Sequence, residues 1–286
     1  MPIVPRDSLD FDLAGDIPKY WFDGDPFKTR FFDAMSTIFP EGERFFIACV
    51  RDFHDQITNP EQLAAIKDFT RQEAQHCLVH AKFNQRLTAQ GVKVERILEN
   101  QHRYLFDIFR ARLSRKHTLA ITAASEHLTA IMSHSWIERR SLFAKADPRL
   151  RAMYAWHAIE EVEHKGVAYD VMQQVAGVGY WQRCLALLQV SINFPKLVFQ
   201  IMAHMFRVDG FSPRQRITLW TRGLWWLFGP GGLLSDCFGA YLQWYRPGFH
   251  PWDSGALPSY ATWTEEFQRT GNPIAASEAL QPPRLS

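Results

Sequence analysis

Trp156-His157-Ala158-Ile159-Glu160-Glu161-Val162-Glu163-His164 decides how the rest of this chain is read. His157, Glu161 and His164 stand at i, i+4 and i+7. At 3.6 residues per helical turn these positions share one narrow stripe. Two imidazoles and a carboxylate then point the same way, as metal ligands do when one helix presents them. Glu160 and Glu163 adjoin the motif, but only Glu161 has a histidine on both sides at helical spacing. A second Glu-x-x-His lies upstream as Glu73-Ala74-Gln75-His76.

Working outward, helix signals bracket both motifs. Asp25-Pro26 opens a helical pattern through Phe31, Phe32 and Met35, and Pro40 interrupts it. A second start at Pro40-Glu41 leads into apolar residues at Phe46, Ile47, Val50 and Phe53, with Glu43 on the same face. Asn59-Pro60 caps the next helix, which ends before Gly91. It carries Leu63, Ile66, Phe69, Glu73, His76, His80 and Phe83 on one stripe. The basic stretch 92–116 reads as a connecting helix with a solvated face. Residues 117–140 form a third helix containing Glu126. Asp147-Pro148 starts a fourth, which runs to Gly177 and bears the opening motif. No alternating strand pattern occurs. The class is therefore all-α: an arm over 1–25, a bundle over 26–177, apolar helices over 178–246 and an extended tail over 247–286.

Collected, the constellation is Glu43, Glu73 with His76, Glu126, and His157, Glu161 with His164. Four-helix bundles that hold two metals use one Glu from each of two helices and Glu-x-x-His from each of the other two. In that order and spacing, residues 26–177 resemble the ferritin-like di-iron carboxylate superfamily. The resemblance implies a ferritin-like four-helix bundle and two Fe ions, with Mn or Zn as alternatives. Carboxylates facing one core repel each other and are costly to desolvate, and two divalent cations would balance them. The extra histidine one turn before the last Glu-x-x-His is similar to that of the arylamine N-oxygenases, which implies His157 as a seventh ligand. The other reading makes it a hydrogen-bond donor behind the ligands. His80 reads as a supporting residue. His54, His127 and His134 read as ordinary packed or surface histidines.

Phe39-Pro-Glu-Gly-Glu43-Arg-Phe-Phe, Gln72-Glu-Ala-Gln-His76 and Ser125-Glu-His-Leu-Thr-Ala also resemble the bacterial family of predicted metal-dependent hydrolases. Three functions follow. The ligand set implies a di-iron oxidase or oxygenase that uses O2, with an electron-donor protein as a partner. The family resemblance implies a binuclear metal-dependent hydrolase. The third is a non-catalytic metal-binding protein. No Ser-His-Asp pattern and no Gly-x-Ser-x-Gly elbow is present.

Composition narrows the field. The chain has 286 residues, 47% of them hydrophobic, and a net charge of +2, which gives no nucleic-acid signal. Cys49, Cys77, Cys184 and Cys237 are far apart and read as reduced thiols of a cytoplasmic protein. Nothing at the N-terminus reads as a signal peptide. Residues 181–245 are rich in Leu, Phe and Trp and nearly free of charge. They can pack on the bundle, pair with a second subunit in a homodimer, or make peripheral contact with the inner face of a membrane. Pro195 and Gly229-Pro230-Gly231-Gly232 favour short re-oriented helices over one straight span. These helices are expected to flank an apolar channel to the metals, so the substrate is a small apolar or lipid-like molecule.

Overall fold

The computed structural model describes residues 2–253 and 257–281. All regular structure among the described residues is helical. Four long helices make the bundle: α1 (Pro26–Arg51), α2 (Pro60–Ala89), α4 (Arg115–Glu138) and α5 (Pro148–His164). Between α2 and α4 the chain runs back through α3 (Val94–His102) and a wide turn of π-helix (Arg103–Arg110). Caps fix the starts. The Asp25 side chain accepts from the N–H groups of Phe27 and Lys28, and that of Asn59 accepts from Glu61 and Gln62. The Ser114 and Asp147 side chains do the same for α4 and α5, occupying donors that the first turn leaves free. Gly91, at φ +89°, ends the turn after α2.

The bundle has two hydrophobic cores with a polar waist between them. Phe39, Phe83, Met132 and Trp156 belong to one cluster. Phe45, Phe69, Ala124 and Val167 belong to the other. Along α1, α2 and α4, and along α5 and just past its end, the chain passes from one cluster to the other, and the candidate ligand lies at the crossing. Glu43 falls between Phe39 and Phe45, and Glu73 and His76 between Phe69 and Phe83. Glu126 falls between Ala124 and Met132, and Glu161 and His164 between Trp156 and Val167. Each core is sealed from water by large rings. Phe32, fully buried, touches Trp21, Phe22, Trp136, Phe143 and Tyr154.

Pro40 does not divide the first helix as the sequence suggests, and α1 runs through it. A proline cannot donate to the carbonyl four residues back, here that of Ser36. Asn84 on α2 donates to that carbonyl instead, from Nδ2 at 2.8 Å. Its Oδ1 accepts from the Ser36 hydroxyl at 2.9 Å. Asn84→Ala should therefore leave a buried carbonyl unpaired and lower the unfolding free energy by about 1–3 kcal/mol in a urea titration.

The fourth helix is shorter than expected. It ends at His164, and the chain resumes in α6 (Val167–Asp170) and a π turn (Val171–Val175). At the break, Gly166 lets Trp252 pack close, since a Cβ there would sit 2.5 Å from Trp252 Nε1. Beyond it come α7 (Tyr180–Val208), α8 (Pro213–Phe228) and α9 (Phe238–Gln243). Pro195 lies inside α7 without breaking it, because Val190, Val198, Ile201, Met202 and Met205 are held in the cores on both sides of the proline. Among the described residues, α7 is by length and composition the one helix long and apolar enough to cross a membrane. The tail expected over 247–286 is not extended throughout. It folds into α10 (Pro258–Thr270) and α11 (Pro273–Ala279), which pack on the bundle through Trp263 and Ala276.

Candidate metal centre

Helical spacing and the polar waist converge on one place. Ligand atoms of Glu73, His76, Glu161 and His164 all lie within 4.8 Å of one another. A second group, Glu43, His80 and His157, meets the same criterion. Glu126 joins the first through His164, whose Nδ1 lies 2.9 Å from Glu126 Oε2. On the other side His164 Nε2 is 3.2 Å from Glu73 Oε1, outside hydrogen-bond geometry. His157 Nε2 is 3.1 Å from Glu161 Oε1. Glu43, Glu73, His76, Glu126, His157, Glu161 and His164 are all at most 3% exposed. The structure thus brings together every candidate from the sequence and adds His80.

Buried polar atoms normally have hydrogen-bond partners. Here both oxygens of Glu43 and Glu73, Glu126 Oε1, Glu161 Oε2, His76 Nδ1 and His164 Nε2 have none among the described residues. These are carboxylate oxygens and imidazole nitrogens, the donors that divalent transition metals prefer. The residues present therefore fit the metal implied by the sequence.

The atoms facing away from the centre are well partnered. His76 Nε2 lies 3.1 Å from Glu160 Oε2, so an Nε2–H donated there leaves Nδ1 free to face Glu161. Glu160 pairs in turn with Arg6 at 3.1 Å. Glu163 takes Arg6 at 2.7 Å, Gln72 Nε2 at 2.7 Å, Tyr260 Oη at 2.7 Å and the Val4 amide at 3.0 Å. Both carboxylates are thereby spoken for, which leaves Glu161 as the member of this acidic run that faces the centre. On the other side a directed chain runs inward from Asn84. Its amide donates to Ser36 O, so its Oδ1 accepts from the Ser36 hydroxyl. That hydroxyl accepts from His80 Nδ1 at 2.8 Å, and His80 Nε2 then accepts from His157 Nδ1 at 3.0 Å. His157 is left with its Nε2 lone pair toward Glu161. In this chain His80 orients His157.

The sequence offered no sign of Arg6, Ser36, Asn84 or Tyr260. Arg6 and Tyr260 come from segments that read as an arm and a tail, and Ser36 and Asn84 match no ligand pattern. His127 packs on Trp244 and Phe249 and burial pushes it down to about 4. His54 is an exposed neighbour of Asp55.

Electrostatics agree with a centre that needs cations. Burial, reinforced by the other carboxylates, holds Glu43 and Glu73 well above the ordinary carboxylate range. Burial also pushes Glu126 up to about 7, against the pull of His164. His164 rises to about 9, because Glu126 and its neighbours outweigh desolvation. His76 falls well below its usual value, through burial and the other histidines. Raised folded-state values mean that the metal-free fold binds protons which the unfolded chain releases. Stability is present below the ordinary carboxylate range and is lost as pH rises toward and past 7. The lowered His76 acts in the opposite sense below the ordinary histidine range, so the comparison belongs above it. Metal-free protein should therefore melt at a lower temperature at pH 8.5 than at pH 7. Metal should remove the difference, because cations replace the protons. Thermal melts at the two pH values, with and without metal, check this.

Above the centre opens a cavity of about 500 Å³. Glu43 and Glu161 lie in its wall. Phe46, Ile97, Leu105, Phe109, Leu128 and Leu197 make most of the rest apolar.

An all-helical bundle with a buried carboxylate–histidine cluster under an apolar cavity is the kind of protein that fold and site define. The chain matches the family described as predicted metal-dependent hydrolase over residues 5–255, and it belongs to that family. No curated protein and no solved structure matches it.

Proposed function

We propose that this protein is a binuclear metal-dependent hydrolase acting on a small, largely apolar substrate. One observation carries the metal dependence: unpartnered carboxylate and imidazole atoms converge in a buried waist with no protein group to satisfy them. Family membership supports hydrolysis as the reaction. Glu73, His76, Glu161 and His164 would hold one ion, with Glu126 beside His164, and Glu43 and His157 would contribute to the other. Zinc or manganese there would polarise an ester or phosphoester oxygen and lower the pKa of a water. The chain's own residues do the rest. Glu43 and Glu161 are the ligands that line the cavity, so the reacting group meets the centre there. Phe46, Leu105, Phe109 and Leu128 bind the apolar portion and exclude bulk water. Glu160 holds the His76 ring in place, and His80 holds His157.

A second reading is a di-iron oxidase or oxygenase, served by an electron-donor protein. The donor set favours it: four carboxylates and three imidazoles on four helices, as in ferritin-like di-iron bundles. Two assays separate the readings. The hydrolase should carry zinc or manganese as purified and cleave p-nitrophenyl esters with a preference for longer acyl chains. It should show no oxygen uptake after anaerobic reduction. Iron as the purified metal, oxygen consumption and no ester cleavage would overturn hydrolysis in favour of the second reading.

A further inference from the structure

We infer that the outer face of α7, together with α9, docks on the surface of an anionic lipid bilayer. This stands apart from the chemistry at the metals. On α7, Trp181, Leu185, Leu188 and Ile192 are 82%, 54%, 50% and 59% exposed. Their spacing of four, three and four residues puts them on one stripe. Alongside runs α9 in the opposite sense. Tyr241 Oη meets Ser191 Oγ at 3.2 Å, Trp244 Nε1 donates to Arg183 O, and Tyr180 Oη donates to Tyr245 O. Phe238 and Leu242 on α9, three residues before and one after Tyr241, are 60% and 47% exposed. The result is a two-helix apolar ridge on the surface, of a kind that marks a binding face.

Charge argues for a bilayer as the occupant. Between Val171 and Ser235 the sole acid is Asp209, while Lys196, Arg207, Arg214 and Arg222 are basic and exposed. Asp236, just before α9, is paired with Arg139. Asp209 is itself neutralised by Arg30 and Lys19. An apolar ridge in a segment with basic residues and no free acid is complementary to anionic headgroups over acyl chains. A self-complementary dimer face gains nothing from such one-sided charge. The helix lies on the bilayer rather than across it. Its inner face, including Val198, Ile201, Met202, Met205 and Phe206, is buried against the bundle at 5% exposure or less.

Continuity with the cavity gives the docking a purpose. The stripe continues one turn past Ile192 to Lys196 and then to Gln200. Both line the cavity, with exposed Asn193 beside them. Across the opening stand Asn100 and Tyr104. A protein seated on this ridge has its cavity mouth at headgroup depth, where an apolar molecule can pass from lipid to protein without crossing water.

The test is vesicle flotation of the full-length, metal-loaded protein. Vesicles of phosphatidylcholine with phosphatidylglycerol should carry the protein, and binding should weaken as salt rises. Phosphatidylcholine alone should carry little. The Leu188→Glu/Ile192→Glu variant should bind roughly tenfold or more weakly, since it places charge where apolar area is buried. Its metal content and circular dichroism should match the parent, because both side chains are exposed. No flotation with anionic vesicles overturns the inference. So does equal binding by the variant. A parent dimer in sedimentation that this variant dissociates, without vesicle binding, assigns the ridge to a second copy instead.

Discussion

The Glu73→Ala protein is expected to hold at least one metal equivalent fewer than the parent chain. Glu73 is fully buried, both of its oxygens lack partners, and Oε1 lies 3.2 Å from His164 Nε2. Removing a carboxylate from a buried ionic cluster leaves the opposite charge uncompensated, at about 3–5 kcal/mol. That corresponds to roughly two to four powers of ten in affinity at the affected position. The metal-free proteins should show the opposite order. Burial and the neighbouring carboxylates hold the Glu73 pKa far above normal, so its ionised form opposes folding at high pH. Metal-free Glu73→Ala should therefore be more stable than the metal-free parent at pH 8. A merely structural glutamate would destabilise in both states. Equilibrium dialysis with metal analysis, paired with melts of the metal-free proteins, measures both effects. Full metal content in the variant removes Glu73 from the ligand set.

Arg6→Ala should produce the largest loss of stability among the charged residues outside the metal cluster, about 3–5 kcal/mol in urea unfolding. Arg6 is 8% exposed although it lies on a segment without regular structure. Its guanidinium spans Glu160 and Glu163 and stacks 5.2 Å over Trp263. Alanine leaves Glu163 paired only through Gln72, Tyr260 and the Val4 amide, and it leaves Glu160 with His76. Burial already holds Glu160 up to about 8 with Arg6 in place, and removal drives it higher. Without Arg6 the Glu160 carboxyl loses the partner that fixes its orientation, so its hold on His76 Nε2 and on the His76 tautomer weakens. Metal affinity should fall together with stability. Arg6→Lys keeps one charge without the fork and should fall between the two proteins. A loss below about 1 kcal/mol would mean the arm is not part of the folded core.

Much of this was legible in the chain, for physical reasons. Asp25-Pro26, Asn59-Pro60 and Asp147-Pro148 are local signals. Each cap lies within three residues of the donors it serves, so no tertiary context is needed to read it. The coincidence of Glu43, Glu73 with His76, Glu126, and Glu161 with His164 was readable because helical spacing fixes which side chains share a face. Pro40 misled because its effect is decided forty-four residues away, where Asn84 supplies the missing donor. The tail misled because Trp263 and Ala276 are single anchors in a polar background, too sparse to make a period. The supporting shell was invisible for the same reason. Arg6, Glu160 and Tyr260 meet only after the arm and α10 have closed over α5. Glu160 and Glu163 could not be told from Glu161 by charge. The cation that claims them comes from the other end of the chain.

Metal stoichiometry tests the central claim most directly. Chelator-stripped protein is dialysed anaerobically against Fe(II), Mn(II) or Zn(II), and bound metal is counted per chain by mass spectrometry. The unpartnered donor atoms of the waist predict two equivalents for at least one of these ions. They also predict proton release on binding, as Glu43, Glu73 and Glu126 give up the protons they hold when empty. A folded chain that retains none of the three ions at micromolar concentration would contradict the account.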